Sequence, residues 1–177
     1  LELSSHDRPV DILHDGFDCV IRTGALPEDG VIARPLGKLT MVNCASPHYL
    51  TRFGYPQSPD DLTSHAIVRY TPHLGVHPLG FEVASVNGVQ WFKSGGMLTV
   101  NSSENYLAAG LAGLGIIQIP RIAVREALRA GRLIEVFPGS RAEPLSLSLV
   151  YPQRRELSRR VNLFMQWLAG VMKEHLD

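Results

Sequence analysis

Small polar residues stand at several points where an apolar, strand-like run gives way to a turn or a helix start. In open α/β sheets ligands bind beyond the carboxyl ends of the strands. The first turn of a helix there offers free N–H groups and a dipole that favours anions, and an arginine at such a rim pairs well with a carboxylate. We therefore predict a site for a small molecule such as an organic acid. Its candidate residues are Ser4, Arg22, Thr23, Ser46, Asn101, Ser102 and Ser103.

Each of these residues also has a simpler explanation. A serine before a helix commonly caps the free backbone N–H groups, and a structural ion pair accounts for Arg22 as well as ligand contact does. The prediction of a binding site therefore depends on the recurrence of such junctions along one chain.

Motifs for enzyme chemistry are missing from the sequence. The glycines at positions 110, 113 and 115 resemble a dinucleotide fingerprint, but they follow a predicted helix instead of opening one. No Walker-type loop or G-x-S-x-G motif is present, and no spacing assigns a nucleophile, a base and an orienting group. No Cys/His spacing suits zinc. We predict that the chain is not an enzyme and has no catalytic residue, metal site or cofactor.

Composition and charge narrow the class of protein. The 177 residues are 45% hydrophobic and 19% charged, which is typical of a folded soluble protein. Seventeen basic and seventeen acidic residues argue against nucleic-acid binding by this segment itself. No run approaches the ~20 apolar residues that span a membrane, and no secretory signal is visible. We expect a cytoplasmic protein in which Cys19 and Cys44 are buried thiols.

Periodicity and turn residues predict a mixed α/β fold. A strand, a helix from Pro9 to Gly16 and a second strand open the chain, a pattern that favours a parallel sheet. Asn87 and Gly88 predict a hairpin turn, and Asn101 with Glu104 resembles a capping box. The full set of predicted strands is 1–3, 17–22, 31–36, 39–44, 66–70, 81–86, 89–93, 97–100, 116–119, 133–137 and 145–149. Further helices are predicted after Ser46, from about 101 to 111, at 121–130 and from about Glu156.

An ordered set of motifs resembles the effector-binding domain of LysR-type transcriptional regulators. The motifs are Asp18-Cys-Val-Ile-Arg22-Thr-Gly24, Ala33-Arg-Pro-Leu-Gly37, Cys44-Ala-Ser-Pro-His-Tyr-Leu50, Pro59-Asp-Asp-Leu62 with His65, Asn101-Ser-Ser-Glu-Asn, Ala109-Gly-Leu-Ala-Gly-Leu-Gly-Ile-Ile-Gln-Ile-Pro120 and Leu149-Val-Tyr-Pro152. Together they cover almost the whole chain in one order, so the resemblance is specific.

The resemblance implies a two-lobed fold like that of type 2 periplasmic binding proteins, with two Rossmann-like lobes joined by two crossing strands. Lobe I would comprise residues 1–38 and 152–177, and lobe II residues 39–151. The effector would bind between the lobes, at Ser4, Arg22, Ser46 and the turn from Asn101 to Ser103. The resemblance also implies a homodimer or homotetramer, with residues 9–15 as candidate contacts.

Two parts of the family pattern are not found in this sequence. The winged helix-turn-helix is absent, so DNA would be bound only through such a separate domain. We also expect the first strand and helix of lobe I to be missing. Two other functions stay open. The chain could be the solute-binding protein of a transporter, or a hydrolase with a serine and a histidine within hydrogen-bond reach.

Overall fold

The computed structural model describes residues 1–24, 30–73, 75, 80–93, 95–153 and 157–176. The chain forms two compact units. Unit 1 comprises Leu1–Arg8 and Met41–Glu143, and unit 2 comprises Pro9–Thr40 and Pro144–Asp177. The predicted boundaries differ from these, since residues 1–8 belong to the unit that contains the middle of the chain. The assignment of lobes as such stays a prediction.

The described residues form a mixture of strands and helices. The strands are β1 (Val20–Thr23), β2 (Val31–Leu39), β3 (Met41–Ala45), β4 (Ala66–Tyr70), β5 (Phe81–Ser85), β6 (Gly88–Phe92), β7 (Gly95–Val100), β8 (Ile117–Pro120), β9 (Ile134–Glu135) and β10 (Leu145–Pro152). The helices are α1 (Pro47–Phe53), α2 (Ser103–Leu111), α3 (Arg121–Arg129) and α4 (Arg159–Met172), with 3-10 turns at Pro59–Thr63 and Lys173–His175.

Unit 2 contains a three-stranded sheet in the order β1–β10–β2, and both pairings are antiparallel. The parallel sheet predicted for the start of the chain is therefore wrong, because β10 arrives from the far end of the sequence and lies between β1 and β2. The alternation of leucine and serine in β10 predicted one polar face. Ser146 is exposed but Ser148 is buried, since the register shifts between Leu147 and Ser148.

The helix predicted to follow Pro9 is only a single turn. The Asp11 carboxylate accepts hydrogen bonds from the backbone N–H of Leu13 at 3.1 Å and of His14 at 3.3 Å, so the turn begins at Asp11 and not at the proline. Gly16, with φ +78°, then ends it. Too few residues remain between Asp11 and Gly16 for a helix. Residues 1–3, which were predicted as a strand, have no regular secondary structure.

Unit 1 is built around β3, which pairs antiparallel with β8 on one side and β9 on the other. Strands β4 and β7 pair in parallel, and β5 and β6 form the hairpin predicted from Asn87 and Gly88. One core cluster packs α2 and α3 against β3 and β8 and includes Val42, Cys44, Ile117 and Val124. The strand ends and helix starts of unit 1 are thus held by buried apolar contacts.

The two cysteines differ in burial. Cys44 is fully buried and belongs to the core of unit 1, as predicted, and burial raises the pKa of its thiol to about 12. Cys19 is half-buried, and both are free thiols. A thiol with so high a pKa is not a nucleophile near neutral pH, so Cys44 is a packing residue.

A hydrogen-bonded polar cluster also lies inside unit 1. The Asn43 side chain is fully buried, donates to the Ser140 carbonyl at 2.8 Å and accepts from the Gln118 amide at 2.9 Å. Gln118 also donates to the Glu82 carbonyl at 2.7 Å. Because buried polar groups that keep their partners fix a single arrangement of the core, this cluster ties β3 and β8 to β5 and the loop before β10.

Candidate functional site

A groove of about 320 Å³ lies at the surface of unit 1, where β7 leads into α2. Its volume is near the lower end of the range of about 300–1,000 Å³ that is usual for ligand pockets. The lining consists entirely of polar and charged residues, so a small polar molecule fits it better than an apolar one. The lining residues are Ser5, His6, Asp7, Arg8, Asn101, Ser102, Ser103 and Glu104.

One side of the groove is the first turn of α2. The N-cap of this helix is Ser102, one residue later than the capping box predicted at Asn101. The Ser102 hydroxyl accepts from the backbone N–H of Asn105 at 3.5 Å, and its carbonyl accepts from Tyr106 N–H at 2.9 Å. The start of the helix is set by the need to bury Tyr106, Ala109 and Gly110.

Tyr106 fixes this turn to the sheet behind it. Its hydroxyl accepts a hydrogen bond of 2.8 Å from the backbone N–H of Gln118, and burial raises the pKa of the phenol. The ring of Tyr70 lies 5.7 Å from that of Tyr106. Because a buried, hydrogen-bonded anchor stands directly behind the helix start, the backbone N–H groups of the first turn keep a fixed direction.

The other side of the groove carries a carboxylate that reaches the helix start. The backbone N–H of Ser103 donates to Asp7 Oδ2 at 2.5 Å. A carboxylate at the N-terminus of a helix is stabilised by the free N–H groups and by the helix dipole. Burial, and after it the negative charge of Asp7, raises the pKa of Tyr70. An acidic ligand at this helix start would therefore compete with the chain's own carboxylate.

Ser4 lies next to the groove without lining it. Its hydroxyl is 2.8 Å from His6 Nε2, and both residues are exposed. This is the serine–histidine contact that a hydrolase would need. However, the two residues are only two apart in the chain, and among the described residues no carboxylate bonds to His6 and orients the ring. The contact alone therefore does not define a catalytic site.

Ser46, another predicted ligand residue, is enclosed. It is 3% exposed, and its hydroxyl accepts from the backbone N–H of Tyr49 at 3.2 Å as the N-cap of α1. Gly113 covers it, since a Cβ on that glycine would lie 3.1 Å from the Ser46 hydroxyl oxygen. Ser46 does not belong to the lining of the groove, and a role in effector binding stays a prediction.

Arg22 and Thr23 lie in unit 2, on β1, opposite Ser148 and Leu147 of β10. Arg22 is half-buried and Thr23 is exposed. No ion pair or side-chain hydrogen bond joins the Arg22 guanidinium to another described residue. The structural ion pair considered for Arg22 is therefore not found in the described part of the chain, and ligand contact stays a prediction.

The groove thus brings together Asn101, Ser102 and Ser103 of the predicted set. Sequence reasoning missed the other lining residues, which are Ser5, His6, Asp7, Arg8 and Glu104. Asp7 lies two residues before Pro9, where a helix was predicted to begin, and nothing local distinguishes it from a capping residue. In the described chain no three His, Cys, Asp or Glu side chains are placed to hold a metal ion, and no helix there has the length and apolarity to cross a membrane.

Comparison with known proteins identifies the family. Residues 1–173 match the family model described as the LysR substrate binding domain. The chain belongs to this family, as the ordered motifs predicted. It is 98% identical over its full length to the HTH-type transcriptional regulator YhjC of Escherichia coli K12, and 34% identical over 99% of its length to the HTH-type transcriptional repressor PA14_22550 of Pseudomonas aeruginosa.

A solved structure supports the fold. The full-length Vibrio cholerae virulence activator AphB, a member of the LTTR protein family, matches 99% of this chain and 58% of its own length, with 25% identity and a TM-score of 0.77. The α/β fold class predicted from the resemblance, that of periplasmic-binding-protein-like effector domains, is confirmed. The transporter alternative gains no support from these comparisons.

The chain spans less than two thirds of the curated relatives that it matches, 59% of the Escherichia coli protein and 55% of the Pseudomonas protein. These relatives are regulators of transcription and not enzymes. The chain is accordingly an effector-binding domain of the LysR type.

Proposed function

We propose that this domain senses a small organic molecule in the groove of unit 1 and thereby controls transcription. The observation that carries the proposal is that Asn101, Ser102 and Ser103, predicted as ligand residues from their place at a helix start, line a groove together with the first turn of α2. The polar lining and the helix start favour an organic acid. Arg8 adds a positive charge at the same groove.

An acidic ligand is proposed because its carboxylate can compete with Asp7 for the hydrogen bond from the start of α2. A ligand carboxylate that reaches the start of α2 takes over the hydrogen bond that Ser103 N–H now gives to Asp7. Removing the Asp7 charge should therefore strengthen the binding of acids and leave the binding of neutral analogues unchanged. This difference between charged and neutral ligands distinguishes an acid sensor from a general polar groove.

The test is a thermal-shift and calorimetric screen of the chain with aromatic and aliphatic carboxylic acids and their amides. We expect at least one acid to raise the melting temperature. In Asn101→Ala and Ser102→Ala the dissociation constant of that acid should rise roughly ten-fold, as expected for the loss of a buried polar contact of about 1–2 kcal/mol, and in Asp7→Asn it should fall.

Ser158→Ala is a matched control for Ser102→Ala. Ser158 caps α4 in unit 2, and its hydroxyl accepts from Val161 N–H at 3.3 Å, so both variants lose a helix cap but only one loses a groove residue. If no acid stabilises the chain, or if Ser158→Ala weakens binding as much as Ser102→Ala does, the groove is not the effector site.

The remaining predicted ligand residues can be tested with the same acid. Arg22→Met should weaken binding if Arg22 contacts the effector, whereas Arg34→Met on β2, at the other edge of the same sheet, serves as its control. Ser4→Ala, Thr23→Val and Ser46→Ala test the other three positions in the same way.

The actions of the whole regulator are proposals as well. We infer that DNA is bound by a helix-turn-helix segment outside these 177 residues, as the names of the relatives suggest, that the regulator acts as a homodimer or homotetramer, and that it works in the cytoplasm where the DNA lies. The effector would then shift the populations of conformations that this segment recognises.

A further inference from the structure

The turn of the β5–β6 hairpin carries an asparagine followed by a glycine at the surface of unit 1. Ser85 pairs with Gly88, so Val86 and Asn87 occupy the two positions of the turn. Asn87 and Gly88 are both exposed, and a Cβ on Gly88 would have nothing within 4 Å. Asparagine is one of the chemically labile residue types, and here its side chain has open space around it.

The backbone of this turn is held in place, whereas the Asn87 side chain is not. The Ser85 hydroxyl accepts from the backbone N–H of Asn87 at 3.2 Å and donates to the Gly88 carbonyl at 2.9 Å. No hydrogen bond joins the Asn87 carboxamide to another described residue. The side chain is therefore able to turn its Cγ toward the backbone nitrogen of Gly88.

That backbone nitrogen lies in the last pair of the hairpin. Pairs at the exposed end of a two-stranded ribbon open more readily than strands of the core, and both Ser85 and Gly88 are exposed. Gly88 also has no side chain to shield its nitrogen from the neighbouring Cγ. The two atoms that would react are thus both accessible in the folded chain.

We propose that Asn87 is a site of spontaneous covalent modification, namely deamidation through a succinimide. The Gly88 nitrogen forms a bond to Asn87 Cγ and loses its proton, while the bond from Cγ to Nδ2 breaks and Nδ2 leaves with that proton as ammonia. Water then opens the ring at either carbonyl, and the Gly88 nitrogen regains a proton. The product is aspartate or isoaspartate at position 87. Water is the only co-reactant, and nothing is oxidised or reduced.

The other asparagines of the chain lack this arrangement. They are Asn43, Asn101, Asn105 and Asn162, and none is followed by glycine. Asn43 is fully buried, and its carboxamide is hydrogen-bonded on both sides. Asn105 is exposed, but the next nitrogen along the chain, that of Tyr106, donates to the Ser102 carbonyl at 2.9 Å within α2. Exposure alone therefore does not distinguish Asn87, whereas the following glycine and the unbonded carboxamide do.

The reaction changes both the charge and the shape of the hairpin tip. A carboxylate replaces a neutral amide, so the formal net charge falls by one unit from zero. In isoaspartate the main chain runs through Cγ and is one carbon longer, so Ser85 and Gly88 lose their pairing. Phe81 and Val83, at the other end of β5, belong to a buried core cluster. The change is therefore confined to the tip.

Peptide mass spectrometry of the folded chain, incubated at physiological temperature and pH, tests the proposal. We expect Asn87 to convert at least roughly ten-fold faster than any other asparagine, which corresponds to a barrier lower by about 1.4 kcal/mol. Isoaspartate, measured by enzymatic methyl transfer to its carboxylate, should accumulate in parallel. The rate should rise with pH, because the attacking nitrogen must give up its proton.

Two variants and the unfolded chain serve as controls. Asn87→Gln should abolish the conversion, because its longer side chain would have to close a larger ring. Asn162→Gln, a matched change at an exposed position of α4, should leave the conversion of Asn87 unchanged. Circular dichroism checks that both variants fold. In urea the chain shows the rate without a fold, and the folded chain should keep at least about a tenth of that rate.

A folded chain in which Asn87 stays intact while the unfolded chain reacts would overturn the proposal. Conversion of another asparagine as fast as Asn87 in the folded chain would overturn it as well. Acid binding by the groove is measured separately and does not involve this turn, so either proposal can fail alone.

Discussion

The starts of α1 and α2 look alike in sequence but differ in the folded chain. Each has a serine N-cap with extended backbone, and each hydroxyl accepts from the third backbone N–H of its helix, at 3.2 Å for Ser46 and 3.5 Å for Ser102. Ser46 is 3% exposed behind Gly113. Ser102 lines an open groove opposite Asp7 and Arg8.

This difference shows that a capping residue predicts where a helix starts but not whether that helix start binds a ligand. What separates a structural cap from a ligand residue is the segment that packs in front of it. For α1 that segment is the glycine turn after α2, and for α2 it is a polar stretch of the chain. The comparison can be tested by changing what lies in front of each cap or the cap itself.

The largest effect is expected from closing the space in front of Ser46. Gly113 has φ +78°, and its Cβ would lie 3.1 Å from both the Ser46 hydroxyl oxygen and His48 Cδ2. Gly113→Ala therefore adds a steric contact to the cost of a left-handed alanine, which is roughly 1–2 kcal/mol. We expect a loss of about 2–3 kcal/mol in the free energy of unfolding, measured by urea denaturation.

Gly131→Ala is the matched control for this substitution. Gly131 follows α3 as Gly113 follows α2, with φ +66°, but a Cβ there would have nothing within 4 Å. It should show the cost of the left-handed conformation alone. Equal losses of unfolding free energy in the two variants would mean that the residues around Ser46 accommodate the added methyl group without a steric penalty.

The next largest effect is expected from removing the caps. Ser46→Ala leaves a buried N–H group of Tyr49 without its acceptor and should cost about 1–2 kcal/mol of unfolding free energy. Ser102→Ala should cost about 0.5 kcal/mol, because its bond is long and water can reach Asn105. Denaturant midpoints of the two variants measure the difference, and a larger loss for Ser102→Ala would contradict the contrast between a closed and an open helix start.

The sequence predicted those parts of the fold whose determining residues lie close together in the chain, and it failed where distant segments pair. The hairpin at Asn87 and Gly88 and the helix after Ser46 were predicted because turn and cap chemistry lies within a few residues. The antiparallel pairing of β1 was not, because its partner β10 lies more than 120 residues away. The short turn at Asp11 was missed because a proline and an aspartate are both acceptable helix starts.

The site was predictable only in part for the same reason. Asn101, Ser102 and Ser103 carry a local signal as polar residues between a strand and a helix. Asp7 reaches the groove only through a contact of 96 residues' separation, which no pattern in the sequence encodes. The family motifs supplied the order of the elements but not this contact.

The smallest effect is expected from pH, and it concerns only the closed helix start. His65 is buried, its Nδ1 lies 3.0 Å from the Tyr49 hydroxyl, and burial lowers the pKa of its imidazole, with Asp61 partly opposing the shift. In the unfolded chain a histidine binds its proton near pH 6.5. The folded chain binds it only at lower pH, so unfolding takes up protons as the pH falls through that value.

Stability should therefore be constant above about pH 6.5 and decline below it, down to the lowered pKa of the folded state. The Asp61 carboxyl does not disturb this window, because hydrogen bonds from the backbone N–H groups of Gln57 and Ser58 hold its pKa below its usual range. Urea midpoints between pH 5 and 7.5 should fall by an amount worth less than about 1 kcal/mol. His65→Gln should flatten the decline, while Ser102→Ala should retain it in full. A decline that survives His65→Gln unchanged would assign the pH dependence to another region and remove this distinction between the two helix starts.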